Sequence, residues 1–362
     1  MKIAFLFLIC SPLLSAEEFY DYEPWEEEVE SPQMCMPIDH PRPSLVDLEE
    51  SAQDFILETK RIDIPGYINA FNPSIIRWNG SLLMSFRTYH PVSRATNLIG
   101  LVWLTDDFEL AGQPQILETR QDDPFCLSKK QDPRLISVGD RLFMVYNNQI
   151  SYITAREIRR MVVAELHYDG KRFYTDGSVC LDKFDGANEF RSQKNWIPFE
   201  YDGALHLAYS ISPHLVYRPL MTGECEMGSM SDKTVPWDWG ILRGGTPALK
   251  EGDEYLAFFH SSINLPSVHS DGKIILHYFM GAYTFSSEPP FEITRISPHP
   301  IVGKNFYHGV THRTWKPLRV VFPGGFVSDE KHIWVVYGRQ DHEVWAVKLD
   351  KQKLLQSLIP VE

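Results

Sequence analysis

Residues 131–146 read QDPRLISVGDRLFMVY. A proline precedes a short apolar run, Gly139-Asp140 makes a turn, and a second apolar run closes on Tyr146. Gly and Asp enter tight turns at low steric cost, and apolar runs of this length bounded by turn residues read as strands. The stretch is a β-hairpin.

The same hairpin recurs four times. Residues 71–86 read FNPSIIRWNGSLLMSF, 196–209 read WIPFEYDGALHLAY, 245–259 read GTPALKEGDEYLAFF, and 321–337 read VFPGGFVSDEKHIWVVY. The prolines are Pro73, Pro133, Pro198, Pro247 and Pro323, spaced by 60, 65, 49 and 76 residues. The closing aromatics are Phe86, Tyr146, Tyr209, Phe259 and Tyr337. Between hairpins lie further strand candidates: Leu98–Trp103, Arg160–Leu166, Leu215–Arg218 and Lys273–Phe279. Four strands per repeat and five repeats predict an all-β fold, a five-bladed β-propeller, in preference to a sandwich with coincidental hairpins. Val344–Leu349 is expected to close the ring with the segment near Arg61–Ile64.

The chain before the first hairpin reads differently. Lys2 and the apolar run Ile3–Leu14, ending in Ser15-Ala16, form a signal peptide over residues 1–16. Residues 17–55 are an acidic, partly flexible segment, and residues 56–362 the propeller. The formal net charge is −13, or −14 beyond Lys2; eight acids lie between Glu17 and Glu30, and setting them aside leaves −6. The acidity is thus mostly a local tail, and no basic face points to nucleic acid. No later apolar stretch is long enough to span a membrane. The expected location is exported: periplasmic or secreted in a bacterium, the secretory pathway in a eukaryote. Cys35, Cys126, Cys180 and Cys225 remain after cleavage. They admit two disulfides in three connectivities, or buried thiols. No Cys/His pair has metal-ligand spacing, and no HExxH, GxSxG or Walker pattern occurs. No metal or cofactor is expected. The sequence specifies no oligomeric state.

In a propeller the inner strands converge on a central channel, so equivalent positions ring the axis. The residues before the five prolines are Asn72, Asp132, Ile197, Thr246 and Phe322. Asp132 alone is ionisable. It reads as a general acid whose pKa partial burial raises, or as a turn-capping carboxylate. Arg87, Arg134, Lys194, Arg243 and His260 fall near the same strand ends. Together they suit an anionic group such as phosphate. Trp78, Tyr89, Trp196, Tyr307 and Trp315 are candidates for stacking on sugars or for the core. Asn79-Gly80-Ser81 is a glycosylation sequon on a tight turn.

FNPSIIRW, DPRLISVGDRLFMVY, KNWIPF, GGTPALKEGDEYLAFFH, VVFPGG and YGRQD, in this order, resemble glycoside hydrolase family 130. The agreement runs from about Asn69 to the C-terminus. The resemblance implies a five-bladed propeller that cleaves or phosphorolyses β-mannosides with inversion. It implies Asp132 as proton donor, acting through a sugar hydroxyl. Arg87, Lys194 and His260, with Arg134 beside them, match phosphate-binding positions; Asn72 and Asp341 match sugar-contact ones, and Arg87, Arg134 and Asn195 are taken as further substrate-binding candidates. Inorganic phosphate is then a candidate co-substrate and an oligosaccharide or glycan the partner. Related propellers are glycosyltransferases using a nucleotide sugar or sugar phosphate. Two departures stand out: Gln131 replaces a usual Glu, and YGRQD replaces YGAAD, so that Arg339 and Gln340 alter the rim. The stretch Ile150–Arg160, where further phosphate-binding arginines are expected, aligns poorly. Hydrolysis would need a base facing Asp132, with Glu189, Asp341 and Glu343 as candidates. Export favours hydrolysis or transfer, and the basic cluster favours a phosphate-bearing ligand. A non-catalytic carbohydrate-binding propeller is the third reading.

Overall fold

The computed structural model describes residues 45–50, 52–67, 69–91, 96–117, 129–153, 156–188, 190–314 and 316–362. The expected signal peptide, most of the acidic segment, Cys35, Cys126, Glu189 and Trp315 lie outside them.

Each expected hairpin heads a sheet of its own, and the five sheets form a propeller-like arrangement. The first sheet orders Phe71–Trp78, Ser81–Tyr89, Asn97–Leu104 and Gln115–Ile116. The second runs Gln131–Val138, Arg141–Ile153, Arg156–Tyr168 and Ser178–Leu181. The third runs Ile197–Tyr201, Ala204–Ser210, His214–Pro219 and Cys225–Ser231. The fourth is built on Glu254–Leu265 and Ile275–Ser286, and the fifth on Val321–Ser328, His332–Arg339 and Glu343–Asp350.

Four strands per sheet hold for the first, third and fifth; the second has five strands and the fourth seven. In the fourth, the inner strand splits into Arg243–Gly244 and Leu249–Glu251 around Thr246-Pro247. Proline has no N–H for the ladder there. The same sheet also takes up Ile359–Pro360 from the C-terminus. Ring closure follows the expected pairing: Ile56–Ile62 lies antiparallel to Glu343–Asp350, with Arg61 opposite Trp345 and Ile62 opposite Val344.

Why the strands are apolar on both faces is visible in the packing. Side chains alternate across a strand, and here each face of a sheet meets a neighbouring sheet. Leu83 packs toward the second sheet with Leu135 and Met144, whereas Leu82 and Met84 pack toward the fifth with Val336 and Ala346. Ile136 and Val145 meet Trp196 and Leu207 of the third sheet. Phe199 meets Tyr255 and Phe259 of the fourth, and Phe258 meets Phe326 and Val335 of the fifth. Five interfaces thus run from first sheet to fifth and back to the first. Leu48 and Phe55 are buried in the fourth–fifth interface.

Inner strands approach closely enough to exclude side chains. A Cβ on Gly244 would lie 2.0 Å from the Asn195 carbonyl oxygen, and one on Gly324 2.0 Å from that of Pro73. The GGTP and FPGG signatures are therefore packing requirements at the axis. The two-residue turns Asn79-Gly80 and Asp202-Gly203 have φ of 49°, 80°, 49° and 68°, the positive values that a tight hairpin needs.

Cys225 is a buried free thiol, so two disulfides, which would need all four cysteines, do not form. Burial pushes its pKa up to about 12, which leaves it unreactive. Among the described residues no helix is long and apolar enough to cross a membrane.

Candidate active site

All five hairpins run in the same sense, so the pre-proline residues and those after the closing aromatics share one end of the ring. At that end the ladder is interrupted. The pairing register shifts between Phe71 and Ser74, between Gln131 and Arg134, and between Pro323 and Gly325. A bulge takes residues out of the ladder and re-aims their side chains. Asn72 and Asp132 sit in the first two bulges with φ of 46° and 54°. Such backbone is sparsely populated outside glycine and clusters at functional sites.

The two side chains meet. Asn72 Nδ2 donates to Asp132 Oδ1 at 2.8 Å, and Asn147 Nδ2 donates to Oδ2 at 3.4 Å. Arg87 Nη1 forms an ion pair with Oδ1 at 3.5 Å. Arg87 also lies over the Phe71 ring and donates through Nε to Asn97 Oδ1 at 3.0 Å. Asp132 is buried. Burial opposes its ionisation, but the Arg87 charge, the Asn72 hydrogen bond and the charges of Lys194 and Arg134 outweigh it. Its pKa therefore falls below the usual carboxylate range. This corrects the expectation that burial raises it: three nearby cations stabilise the charged form more than desolvation penalises it.

Arg134 is fully buried and does not open onto a ligand. Its guanidinium donates to the carbonyls of Asp132, Gly244 and Gly245 and, at 3.4 Å, to Asn195 Oδ1. Burial lowers its pKa to about 10. It ties the second sheet to the third and fourth, and positions Asp132 and Asn195 from behind. Arg134→Lys is expected to cost about 1–3 kcal/mol, because an ammonium cannot reach three carbonyls at once. Urea unfolding measures this; an unchanged midpoint would show that those bonds are not required.

His260, expected to face phosphate, is buried between Tyr278 and Phe322, with ring centroids at 5.8 and 4.6 Å. Burial and the Arg243 and Arg134 charges hold its pKa well below the ordinary value. It is a neutral imidazole, able to donate or accept one hydrogen bond but bringing no charge. Its Nδ1 is buried without a partner, as is Oδ1 of Asn72. Lys194 is half-buried and close enough for its charge to act on Asp132.

Asp341 is half-buried on a turn with Gln340, at φ of 52° and 57°. Gly338, three residues earlier, packs on Asn72, where a Cβ would lie 2.1 Å from Asn72 Oδ1. Arg339 and Gln340 do not alter the rim as expected, because both are buried. Arg339 Nη1 pairs with Glu343 Oε2 at 2.6 Å, and Nη2 donates to the His308 carbonyl. Glu343 further accepts from His312 Nε2 at 3.0 Å and Trp345 Nε1 at 2.8 Å. Despite burial, these bonds and the Arg339 charge lower its pKa to about 2. As a candidate base Glu343 is already committed.

Two site residues are absent from the sequence-based expectations. Asn147 follows the closing aromatic Tyr146 just as Arg87 follows Phe86 and His260 follows Phe259, a signal by which it can be found. Arg159, in the poorly aligning stretch, is buried and donates to Asn147 Oδ1 at 3.3 Å and the Lys129 carbonyl at 3.0 Å. Of the aromatics, Trp196 and Tyr307 are core. Trp78 stacks on Trp103 at the turn end, away from Asp132. Asn79 of the sequon is exposed at that same end.

The family description "beta-1,4-mannooligosaccharide phosphorylase" of glycoside hydrolase family 130 matches residues 42–358. The chain belongs to this family. Family 130 members are glycoside phosphorylases and hydrolases acting on β-mannosidic linkages, and this chain is an enzyme of that group. No curated protein matches the sequence. Among solved structures, a glycosyl hydrolase from Bacteroides ovatus is similar at 16% identity and TM-score 0.56, covering 81% of this chain and 87% of that one. The β-1,2-mannobiose phosphorylase of Listeria innocua is similar at 15% identity and TM-score 0.52, covering 80% and 92%. MPT-1, a GDP-Man-dependent mannosyltransferase from Leishmania mexicana, is similar at 14% identity and TM-score 0.53, covering 82% and 91%. At these identities the likeness is one of fold.

Proposed function

We propose that this chain is an exported, phosphate-dependent β-mannoside phosphorylase whose five sheets are the blades of one five-bladed propeller, and that Asp132 is its proton donor. The observation that carries the reading is the buried carboxylate of Asp132 with the cations Arg87, Lys194 and Arg134 around it. A phosphate nucleophile needs cations and no second carboxylate; a water nucleophile needs a base. Glu343 is bound by Arg339, His312 and Trp345, which disfavours it as that base.

In the proposed step a phosphate oxygen attacks the anomeric carbon on the face opposite the leaving oxygen. The glycosidic C–O bond breaks with inversion, and the Asp132 proton ends on the leaving oxygen. Mannose 1-phosphate and a shortened oligosaccharide result. Asp132 is ionised in the free chain, and phosphate supplies a remedy. Its negative charge beside Arg87 and Lys194 offsets the cations that keep Asp132 deprotonated, so the pKa rises on binding.

The test is product analysis with β-linked manno-oligosaccharides, with and without inorganic phosphate. Mannose 1-phosphate formed only with phosphate supports the proposal; free mannose in both conditions overturns it in favour of hydrolysis. No product in either, with turnover of a nucleotide-sugar donor, overturns it in favour of transfer. Lys194→Ala is expected to raise KM for phosphate about tenfold or more, the scale of one charge-assisted contact, while KM for the oligosaccharide changes little. An equal rise in both would remove Lys194 from the phosphate site.

A further inference from the structure

Asn147 connects Asp132 to a second buried cation behind it. Asn147 Nδ2 donates to the Gln131 carbonyl at 3.3 Å and to Asp132 Oδ2 at 3.4 Å. Its Oδ1 accepts from Arg159 Nη1 at 3.3 Å. Which end of an amide is oxygen follows from its partners, and here they agree. A guanidinium only donates, so the oxygen must face Arg159. A carbonyl and a carboxylate only accept, so the NH2 must face Gln131 and Asp132. Turned over, the amide would set its oxygen against two acceptors and its NH2 against a cation.

Arg159 is itself built in. It is buried, and its Nη1 also donates to the Lys129 carbonyl at 3.0 Å. Its Nη2 pairs with Glu157, whose other carboxylate oxygen lies 3.3 Å from Lys129 Nζ. The Arg159 amide donates to Ser192 Oγ at 3.2 Å, and its carbonyl accepts from the Gln193 amide at 3.0 Å. Those bonds fix it against the segment that carries Lys194. With donors spent on protein and a carboxylate against its charge, Arg159 does not read as one of the phosphate-binding arginines expected in the stretch Ile150–Arg160.

The two oxygens of Asp132 are held unequally. Oδ1 takes the Asn72 bond at 2.8 Å and the Arg87 ion pair at 3.5 Å. Oδ2 takes the long Asn147 bond, so it gives up least on accepting a proton. Asn72 is not pinned, because its own Oδ1 is buried without a partner, and it can turn over to accept. Asn147, pinned by Arg159, cannot. The other charges acting on Asp132 are Arg87, Lys194 and Arg134, and the His260 imidazole is near enough to feel it.

We propose that Arg159 and Asn147 are positioning residues for Asp132. Arg159 locks the Asn147 amide as a donor, so the proton carried on Oδ2 meets no acceptor in the protein and passes to the substrate oxygen. This role rests on Asp132 being the proton donor.

The test is titration of Asp132 in the substrate-free chain by its carboxyl 13C resonance, assigned by its loss in Asp132→Asn. Asn147→Leu removes the donor and should raise the pKa of Asp132 by about one unit, the scale of one hydrogen bond to a charged group. Arg159→Met should raise it by a similar amount. Placed on top of Asn147→Leu, it should add less than about half of that, because its route to Asp132 is gone. In turnover, each single variant should lower kcat on the oligosaccharide about tenfold or more, the cost of a misplaced group, with KM for phosphate unchanged. Should Arg159→Met fail to fold, Arg159→Gln takes its place in the cycle. An unchanged titration in Asn147→Leu overturns the proposal. So does an equal rise from the Arg159 change in both backgrounds, the result of a distant charge acting alone. Lost stability with titration and kcat unchanged, the mark of a merely structural contact, overturns it too. The titration is read without turnover. Failure of Asp132 as proton donor, seen as an unaffected kcat in Asp132→Asn, is therefore distinguishable from failure of the positioning role.

Discussion

Asp132→Asn should lower kcat by about 10²–10⁴-fold on an oligosaccharide, the usual worth of a general acid, with the fold retained. Asn is isosteric and its carbonyl oxygen can keep the bond from Asn147, while Asn72, whose Oδ1 has no partner, can turn its amide over to accept from the new NH2, so the bulge keeps its occupant. A structural role for Asp132 predicts a different pattern, with lost stability and little change in turnover. The leaving group separates the two further. An aryl β-mannoside with an acidic phenol leaves without protonation, so the variant should approach native rates on it while remaining slow on the oligosaccharide. Equal losses on both substrates would remove Asp132 as proton donor. The pH profile carries a sign as well. Arg87 and Lys194 hold Asp132 ionised in the free chain. At saturating phosphate, the alkaline limb of the rate should therefore lie at higher pH than at low phosphate.

Glu343→Gln should destabilise the chain by about 3–5 kcal/mol at neutral pH, because it leaves the buried Arg339 cation without its partner. The carboxylate has a pKa of about 2 in the folded chain and an ordinary value of 4.5. A depressed folded pKa means the stabilisation is fully present above the unfolded value and is lost as pH falls through the folded one. The gap between native and variant urea midpoints should thus be constant above about pH 5 and close progressively toward pH 2. Replacing both partners, Arg339→Met with Glu343→Gln, should recover part of the loss, since no unpaired buried charge remains. A gap independent of pH would mean that packing, not the ion pair, holds this corner. If Glu343 were instead a catalytic base, its replacement would abolish turnover at unchanged stability.

Much of this protein is legible in its amino-acid sequence. Hairpin position and turn residues are local matters, set by residues within about sixteen of one another, and the hairpins fall where the prolines and aromatics place them. Asp132 stands out because it is the one ionisable residue among five equivalent positions, and Asn72 because it occupies the same place in the first repeat. Asn147 obeys the rule that marks Arg87 and His260, since each directly follows the closing aromatic of its hairpin.

What the sequence by itself determined is the set of repeats and the chemistry brought to one end of them. What only the tertiary structure decided is the state of each group there. Arg134 reads as a ligand-facing cation until Gly244 and Gly245, more than a hundred residues away, claim its donors. Glu343 reads as a free base until Arg339, His312 and Trp345 enclose it. His260 becomes neutral, and the pKa of Asp132 moves down instead of up. The reason is physical. A buried charge is governed by partners a few ångströms away and by the water it has lost, and both are set by how separate sheets meet around the axis.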